Sequence, residues 1–221
     1  MKNTQAVSHS LITKSLLMER SVDIKKAIQV LVESTLKPND TENPIYGAVL
    51  HVQVPILETS WSAAAGSFDH TGEIPLTPQH PMRIASITKT YVAAAILRLM
   101  EEKHLVMDAP LTENISAQNY QLLIQGGYTP DRITIRHLLT NTSGLYDYAD
   151  SERFAKEFSS DVNRPWTRAE QIQLAMEVGA PYGAPGEVYR YSDTGYILLG
   201  EIIEKLTGNS LGEALRQLLY F

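Results

Sequence analysis

Strand-forming sequence is confined to one short stretch near the N-terminus, and this limits the folds open to the 221-residue chain. Residues 46–54 are rich in Val and Leu and predict a β-strand. Residues 57–65 predict its partner in a hairpin that ends before Gly66. A lone hairpin is marginal in water, because a stable sheet ordinarily needs three or more strands. We therefore expect a helix-rich chain that lacks the strands with which its hairpin should pair.

Helical signals occupy most of the remaining sequence. Apolar residues recur at helical spacing in several segments, and the pairs Thr167 with Glu170 and Ser210 with Glu213 have the spacing of capping boxes. The predicted helices cover residues 22–36, residues 86–103, a short segment after Thr134, a segment after Thr167, residues 194–206 and a segment after Ser210.

These signals divide the chain into three parts. Residues 1–20 are polar and predict a flexible arm. Residues 21–66 hold the first helix and the hairpin, as the beginning of an incomplete half of the fold. Residues 67–221 form a mostly helical region that contains the candidate active site.

The composition argues against several classes of partner. The net charge is −6 and the pI is about 5.5, without a cluster of Lys and Arg, so we expect no nucleic-acid binding. No stretch approaches the roughly 20 apolar residues of a membrane span. The chain has no cysteine, and no histidine pair has zinc-ligand spacing, so we expect neither a metal nor another cofactor.

The first 20 residues do not have the pattern of a secretory signal. Lys2, His9 and Lys14 interrupt them, and they contain no continuous apolar core. As written, the chain would be cytoplasmic; it would be periplasmic or extracellular if a signal had been removed. The sequence leaves the compartment open.

Ser86 and Lys89 form the strongest candidate for chemistry. The serine begins a predicted helix and the lysine follows one turn later on the same face, where a neutral amine can take the serine proton. The motif alone is weak, since a capping serine followed by a surface lysine has the same spacing. The chain even contains a second copy, Ser34 to Lys37, at the end of a predicted helix, where we expect a purely structural role.

Several segments around Ser86 resemble one known family, and they occur in the family's order. They are residues 82–90 around the nucleophile, residues 135–145, residues 184–187, the triplet Tyr191-Ser-Asp193 and residues 198–203. Together they are similar to the class C β-lactamase and D-alanyl-D-alanine carboxypeptidase family of penicillin-recognising serine hydrolases. The resemblance extends from about residue 22 to the end of the chain.

The resemblance implies an α+β fold of the β-lactamase/transpeptidase-like type, helix-rich, with only the N-terminal hairpin of its antiparallel sheet present. It also implies a serine hydrolase that forms an acyl-enzyme with D-alanyl peptides, β-lactams or esters. Ser86 would be the nucleophile and Lys89 its general base. Tyr191 would share the proton transfer and protonate the leaving group. The backbone N–H of Ser86 would supply half of the oxyanion hole.

Asp193 departs from the family pattern, which usually has Asn at this position. An ionised carboxylate only accepts hydrogen bonds and brings a charge. Close to Lys89, it would stabilise the ammonium form and raise the pKa of the lysine, which weakens the base. Alternatively, Asp193 would bind a cationic amine of the substrate.

The third motif of the family, Lys-Thr-Gly or His-x-Gly on a strand, has no counterpart in the chain. The two Thr-Gly pairs, Thr71-Gly72 and Thr207-Gly208, fall outside the predicted strands. We therefore expect a C-terminally truncated relative. The alternative to an active hydrolase is a catalytically incomplete binding module, or one that recruits strands or self-associates through its exposed hairpin edge. A purely structural helical module would leave the ordered motifs unexplained.

Overall fold

A computed structural model of the protein describes residues 23–55, 58–69 and 71–221. The chain forms two compact units, one ending at Arg83 and one spanning Ile84–Phe221. Residues 67–69 and 71–82, which the sequence grouped with the helical region, fall in the first of these units. The predicted arm, residues 1–20, and the predicted start of the second strand at residue 57 lie outside the described residues.

The first unit is a helix packed on a two-stranded sheet. Helix α1 covers residues 23–34, and strands β1 (Gly47–Val54) and β2 (Thr59–Gly66) pair antiparallel, with Gly47 opposite Gly66. One face of the hairpin packs against α1, as period-two alternation requires. The contact joins Ile28, Val32 and Leu36 to Ala48, Leu50, Ala63 and Ala65. The predicted hairpin is confirmed, and β1 and β2 form a two-stranded sheet within the described part of the chain.

The second unit is helical in the part of the chain that the structure describes, apart from short turns and loops. Its helices are α2 (Thr88–Glu101), α3 (Ala117–Gln125), α4 (Ile135–Leu139), α5 (Glu152–Ser160), α6 (Arg168–Val178), α7 (Asp193–Thr207) and α8 (Leu211–Leu219). Both predicted capping boxes are present, at the start of α6 and of α8. The helix-rich α+β fold class predicted from the sequence is confirmed.

Three helical features differ from the sequence prediction. The long helix begins at Thr88 rather than at Ser86, because residues Ala85–Ile87 form a separate 3-10 turn, and it ends at Glu101. Helices α3 and α5 were not predicted. Each begins at a serine that accepts a backbone hydrogen bond, Ser116 for α3 and Ser151 for α5.

Apolar faces of α2, α7 and α8 form the centre of the second unit. The side chains involved are almost completely removed from solvent, so each Leu or Ile among them contributes roughly 1.5–3 kcal/mol of hydrophobic stabilisation. They include Ala95, Ile96 and Leu99 of α2, Leu198, Leu199, Ile202 and Ile203 of α7, and Ala214 of α8. This packing holds the beginnings of α2 and α7, where the candidate site residues lie.

Residues 141–148 run beside residues 182–194, and hydrogen bonds join the two segments. The amide of Tyr182 donates to the carbonyl of Gly144 (2.9 Å), and that of Gly186 donates to the carbonyl of Thr142 (2.8 Å). Gly144 has a φ of 76°, a left-handed conformation that favours glycine. A Cβ at this position would overlap the carbonyl oxygen of Gly183. The close approach of the two segments therefore depends on glycine at 144.

We predict that Gly144→Ala lowers the free energy of unfolding more than Gly208→Ala does. Gly208 also has a left-handed backbone, with a φ of 69°, but a Cβ there would meet no atom within 4 Å. Both variants should lose about 1–2 kcal/mol from the backbone conformation. Gly144→Ala should lose about 1–3 kcal/mol more because of the overlap. Urea unfolding followed by circular dichroism measures both, and equal losses would contradict the packing of these segments.

Candidate active site

Ser86 lies in the 3-10 turn that leads into α2, and its side chain is exposed to solvent. The preceding residue, Ala85, has a φ of 44°, which is rare for a residue with a Cβ. Backbone strain of this kind costs about 1–3 kcal/mol and concentrates at functional sites. The turn presents the serine hydroxyl at the surface, at the N-terminal end of a long helix.

Two polar groups converge on the Ser86 hydroxyl. Lys89, in the first turn of α2, donates from Nζ to Ser86 Oγ at 3.2 Å. Tyr191, which comes 105 residues later in the chain, donates from its hydroxyl to the same oxygen at 2.8 Å. An alkoxide at Ser86 would keep both hydrogen bonds and would gain from both, because charge-assisted bonds are the stronger ones. The structure thus brings together three residues that the sequence had singled out.

Asp193 is the first residue of α7, and its carboxylate forms an ion pair with Lys89 Nζ. Both side chains are largely buried, with 18% of Lys89 and 25% of Asp193 exposed. Burial is the largest single influence on Lys89 and by itself lowers its pKa. The contacts with Asp193 and Tyr191 together outweigh it, so the pKa of Lys89 is raised. The structure thus brings Asp193 as close to Lys89 as the sequence-based prediction required.

The raised pKa of Lys89 links the ion pair to stability. A lysine whose pKa is higher in the folded state stabilises the fold below its ordinary pKa, and this contribution disappears as the pH rises through the raised value. Over the neutral range the lysine is therefore an ammonium ion. A neutral amine, which a general base requires, forms only at alkaline pH.

Asp147 was not singled out from the sequence, yet it lies beside the site. Its side chain is 3% exposed and accepts a hydrogen bond from the amide of Ala149 at 3.0 Å. Burial raises the pKa of Asp147, while hydrogen bonds from the amides of Ala149 and Asp193 oppose that rise. A buried acceptor for the amide of Asp193 helps to fix the start of α7. A lone aspartate in a loop gives no sequence signal for such a role.

His137, the histidine nearest to the predicted motifs, serves a helix cap. Its Nδ1 accepts the backbone N–H of Thr134, and the Thr134 hydroxyl accepts the amide of His137. Among residues 23–55, 58–69 and 71–221, no group of three His, Asp or Glu side chains is arranged to hold a metal ion. No helix in this part of the chain is long and apolar enough to cross a membrane.

This fold and the Ser–Lys–Tyr arrangement point to serine hydrolases related to penicillin-binding proteins. The profile of the Beta-lactamase family matches residues 33–220, and the chain belongs to that family. It is 30% identical to Esterase EstB of Burkholderia gladioli over 73% of this chain and 41% of the esterase. It is also 30% identical to Penicillin-binding protein 4* of Bacillus subtilis, over 70% of this chain and 32% of that protein.

A solved structure shows the same fold. The crystal structure of a D-stereospecific amidohydrolase from Streptomyces sp. matches with a TM-score of 0.68 and 28% identity. The match covers 87% of this chain and 52% of the amidohydrolase. The chain thus spans between about a third and a half of the length of these relatives.

We predict that Asp193→Asn lowers the pKa of Lys89. The amide removes the negative charge that holds the ammonium form, while burial of the lysine continues to oppose its charge. An NMR titration of the lysine ε-carbon measures the change directly. Asp108→Asn is the matched control. Its carboxylate pairs with Arg136 at 2.7 Å, so this substitution should leave the pKa of Lys89 unchanged. An unchanged Lys89 titration in Asp193→Asn would show that the ion pair does not control its charge.

Proposed function

We propose that the protein is a serine hydrolase that transfers acyl groups to water through an ester at Ser86. The observation that carries the proposal is the pair of contacts on Ser86 Oγ, from Lys89 Nζ at 3.2 Å and from the Tyr191 hydroxyl at 2.8 Å. A surface serine without a catalytic role would not need both an amine from the adjoining helix and a phenol from a distant loop. Membership of the Beta-lactamase family supports the same chemistry.

The proposed reaction begins when neutral Lys89 takes the proton of Ser86. The serine oxygen then forms a bond to the carbonyl carbon, and the carbonyl electron pair moves to its oxygen, near the backbone N–H of Ser86. When this intermediate collapses, the bond to the leaving group breaks and Tyr191 gives the leaving group a proton, which Lys89 replaces. Water then attacks the ester and releases the acid, with the same groups acting in reverse.

Asp193 limits this reaction at neutral pH, because it favours the ammonium form of Lys89. Acylation should therefore rise with pH until the lysine loses its proton. The alternative role for Asp193, binding a cationic amine of the substrate, has less support, since its carboxylate already pairs with Lys89. Comparing Asp193→Asn on neutral and amine-bearing substrates separates the two roles.

Esters, β-lactams and D-alanyl peptides remain the candidate substrates. The similar proteins are named as an esterase, a penicillin-binding protein and a D-stereospecific amidohydrolase, and each name is compatible with attack of a serine on an acyl carbon. Activated esters are the most sensitive probe. Their leaving groups need little protonation, so they report on the nucleophile itself.

We predict a covalent adduct on Ser86 after incubation with an activated ester or, separately, a penicillin. Intact-protein mass spectrometry detects the added acyl mass, and peptide mapping locates it. Ser86→Ala should abolish the adduct. Ser34→Ala is the matched control from the second Ser-x-x-Lys motif, and it should leave the adduct unchanged, since the Ser34 hydroxyl donates to the carbonyl of Leu31. Folded protein that forms no adduct with either probe would refute the proposed activity.

We predict that Tyr191→Phe slows acylation of Ser86 by about 10²- to 10⁴-fold, the usual range for loss of a positioned proton-transfer group. The phenyl ring keeps the shape of the side chain, so the unfolding midpoint should change little. Rapid-quench kinetics with an alkyl ester, whose poor leaving group needs the proton from Tyr191, measure the rate. A rate equal to that of the unaltered protein would remove Tyr191 from the mechanism.

The alternative function, an incomplete binding module or one that recruits strands through the hairpin edge, stays a prediction. Strands β1 and β2 pair with each other along one side. A molecular mass that stays monomeric over a wide concentration range would contradict self-association through that edge.

A further inference from the structure

We propose that Asn141 is a positioning residue that holds Tyr191 against Ser86. The proposal rests on the function proposed above for Tyr191 and adds a residue that the catalytic motifs do not contain. Asn141 lies in the loop after α4, far along the chain from the tyrosine. It makes no contact with the reacting oxygen in the structure and acts through the backbone around Tyr191.

Asn141 accepts two hydrogen bonds, one from the residue before Tyr191 and one from the residue after it. The amide of Arg190, one residue before, donates to the backbone carbonyl of Asn141 at 2.8 Å. The amide of Ser192, one residue after, donates to the side-chain Oδ1 of Asn141 at 3.2 Å. One residue therefore fixes the backbone on either side of the tyrosine. Only the anchor on Ser192 depends on the side chain, since the anchor on Arg190 is a backbone carbonyl that any residue would supply.

The conformation of Asn141 explains why an asparagine suits this position. Its φ of 55° lies in the left-handed region, which asparagine tolerates better than most residues with a Cβ. In this conformation the backbone carbonyl of Asn141 accepts from the amide of Arg190, and its side-chain Oδ1 accepts from the amide of Ser192. Glycine would allow the same backbone but would lack the side-chain acceptor. Aspartate would keep both the acceptor and the tolerance of a positive φ.

The amide of Ser192 needs its acceptor because Ser192 is only 1% exposed. A buried amide that loses its partner is not compensated by water, so the chain must shift to find another acceptor. Any such shift moves Tyr191, since the two residues are adjacent. The 2.8 Å contact between the Tyr191 hydroxyl and Ser86 Oγ would lengthen as a result.

Kinetics of Ser86 acylation by an alkyl ester, whose poor leaving group needs the proton from Tyr191, test the proposal. Asn141→Gly should slow acylation about three- to tenfold, the effect on the rate of losing one net hydrogen bond. Asn141→Asp should restore most of the rate. Lys103→Gly is the matched control, because Lys103 also has a left-handed backbone, with a φ of 62°, at the far end of α2. It should leave the rate unchanged.

A double-mutant cycle separates positioning from a general loss of structure. If Asn141 acts through the Tyr191 hydroxyl, Asn141→Gly should cause no further loss of rate in a protein that already carries Tyr191→Phe. The same three- to tenfold loss in both backgrounds would overturn the proposal. So would a rate for Asn141→Gly equal to that of the unaltered protein.

NMR gives a test that does not depend on activity. Asn141→Gly should speed hydrogen exchange at the amide of Ser192, while the amide of Arg190 keeps its backbone acceptor. The ε-methylene protons of Lys89, whose Nζ lies 4.8 Å from the centre of the Tyr191 ring, should lose part of their ring-current shift. Unchanged exchange at Ser192 and an unchanged Lys89 shift would refute the positioning role. If no variant forms an adduct but both NMR changes occur, the proposed function fails and the positioning of Tyr191 by Asn141 stands.

Discussion

The packing of α2 against α7 sets the geometry on which the candidate site depends. Their apolar faces meet in the core of the second unit, so the segments at which the two helices begin lie side by side. One start carries Ser86 and Lys89, and the other carries Tyr191 and Asp193. Both helix N-termini present positive dipole ends, which favour an alkoxide at Ser86 and the carboxylate of Asp193. Loss of core packing would therefore separate Ser86, the proposed nucleophile, from Tyr191.

The same arrangement creates an electrostatic conflict at Lys89. The helix dipole and burial disfavour an ammonium ion there, whereas the contacts with Asp193 and Tyr191 favour it and together outweigh burial. An ammonium ion stabilises a serine alkoxide but cannot remove the serine proton. With asparagine at 193 the balance would move toward the neutral base. Aspartate at 193, in place of the family's usual asparagine, thus bears on the charge of Lys89 more than on the shape of the site.

Local signals predicted much of the fold, and tertiary contacts account for most of what was missed. The hairpin and the two capping boxes were found because their signals lie within a few residues. Helix α5 was missed because its large apolar residues are limited to Phe154 and Phe158. The left-handed Ala85 has no sequence signal, since alanine ordinarily avoids that conformation. The roles of Asn141 and Asp147 depend on tertiary contacts beside α7, so the sequence alone did not indicate them.

The two Ser-x-x-Lys motifs show why spacing alone does not define a site. Ser34 lies near the end of α1, where its hydroxyl donates to the carbonyl of Leu31 within the same helix. Such a bond satisfies the hydroxyl locally and leaves it occupied. Ser86 lies just before the N-terminal end of α2, and its oxygen accepts a hydrogen bond from the hydroxyl of Tyr191, 105 residues later in the chain. A side chain from a distant segment is held against the serine by the fold and not by the local helix, and such fixed placement of a second group is what catalysis requires.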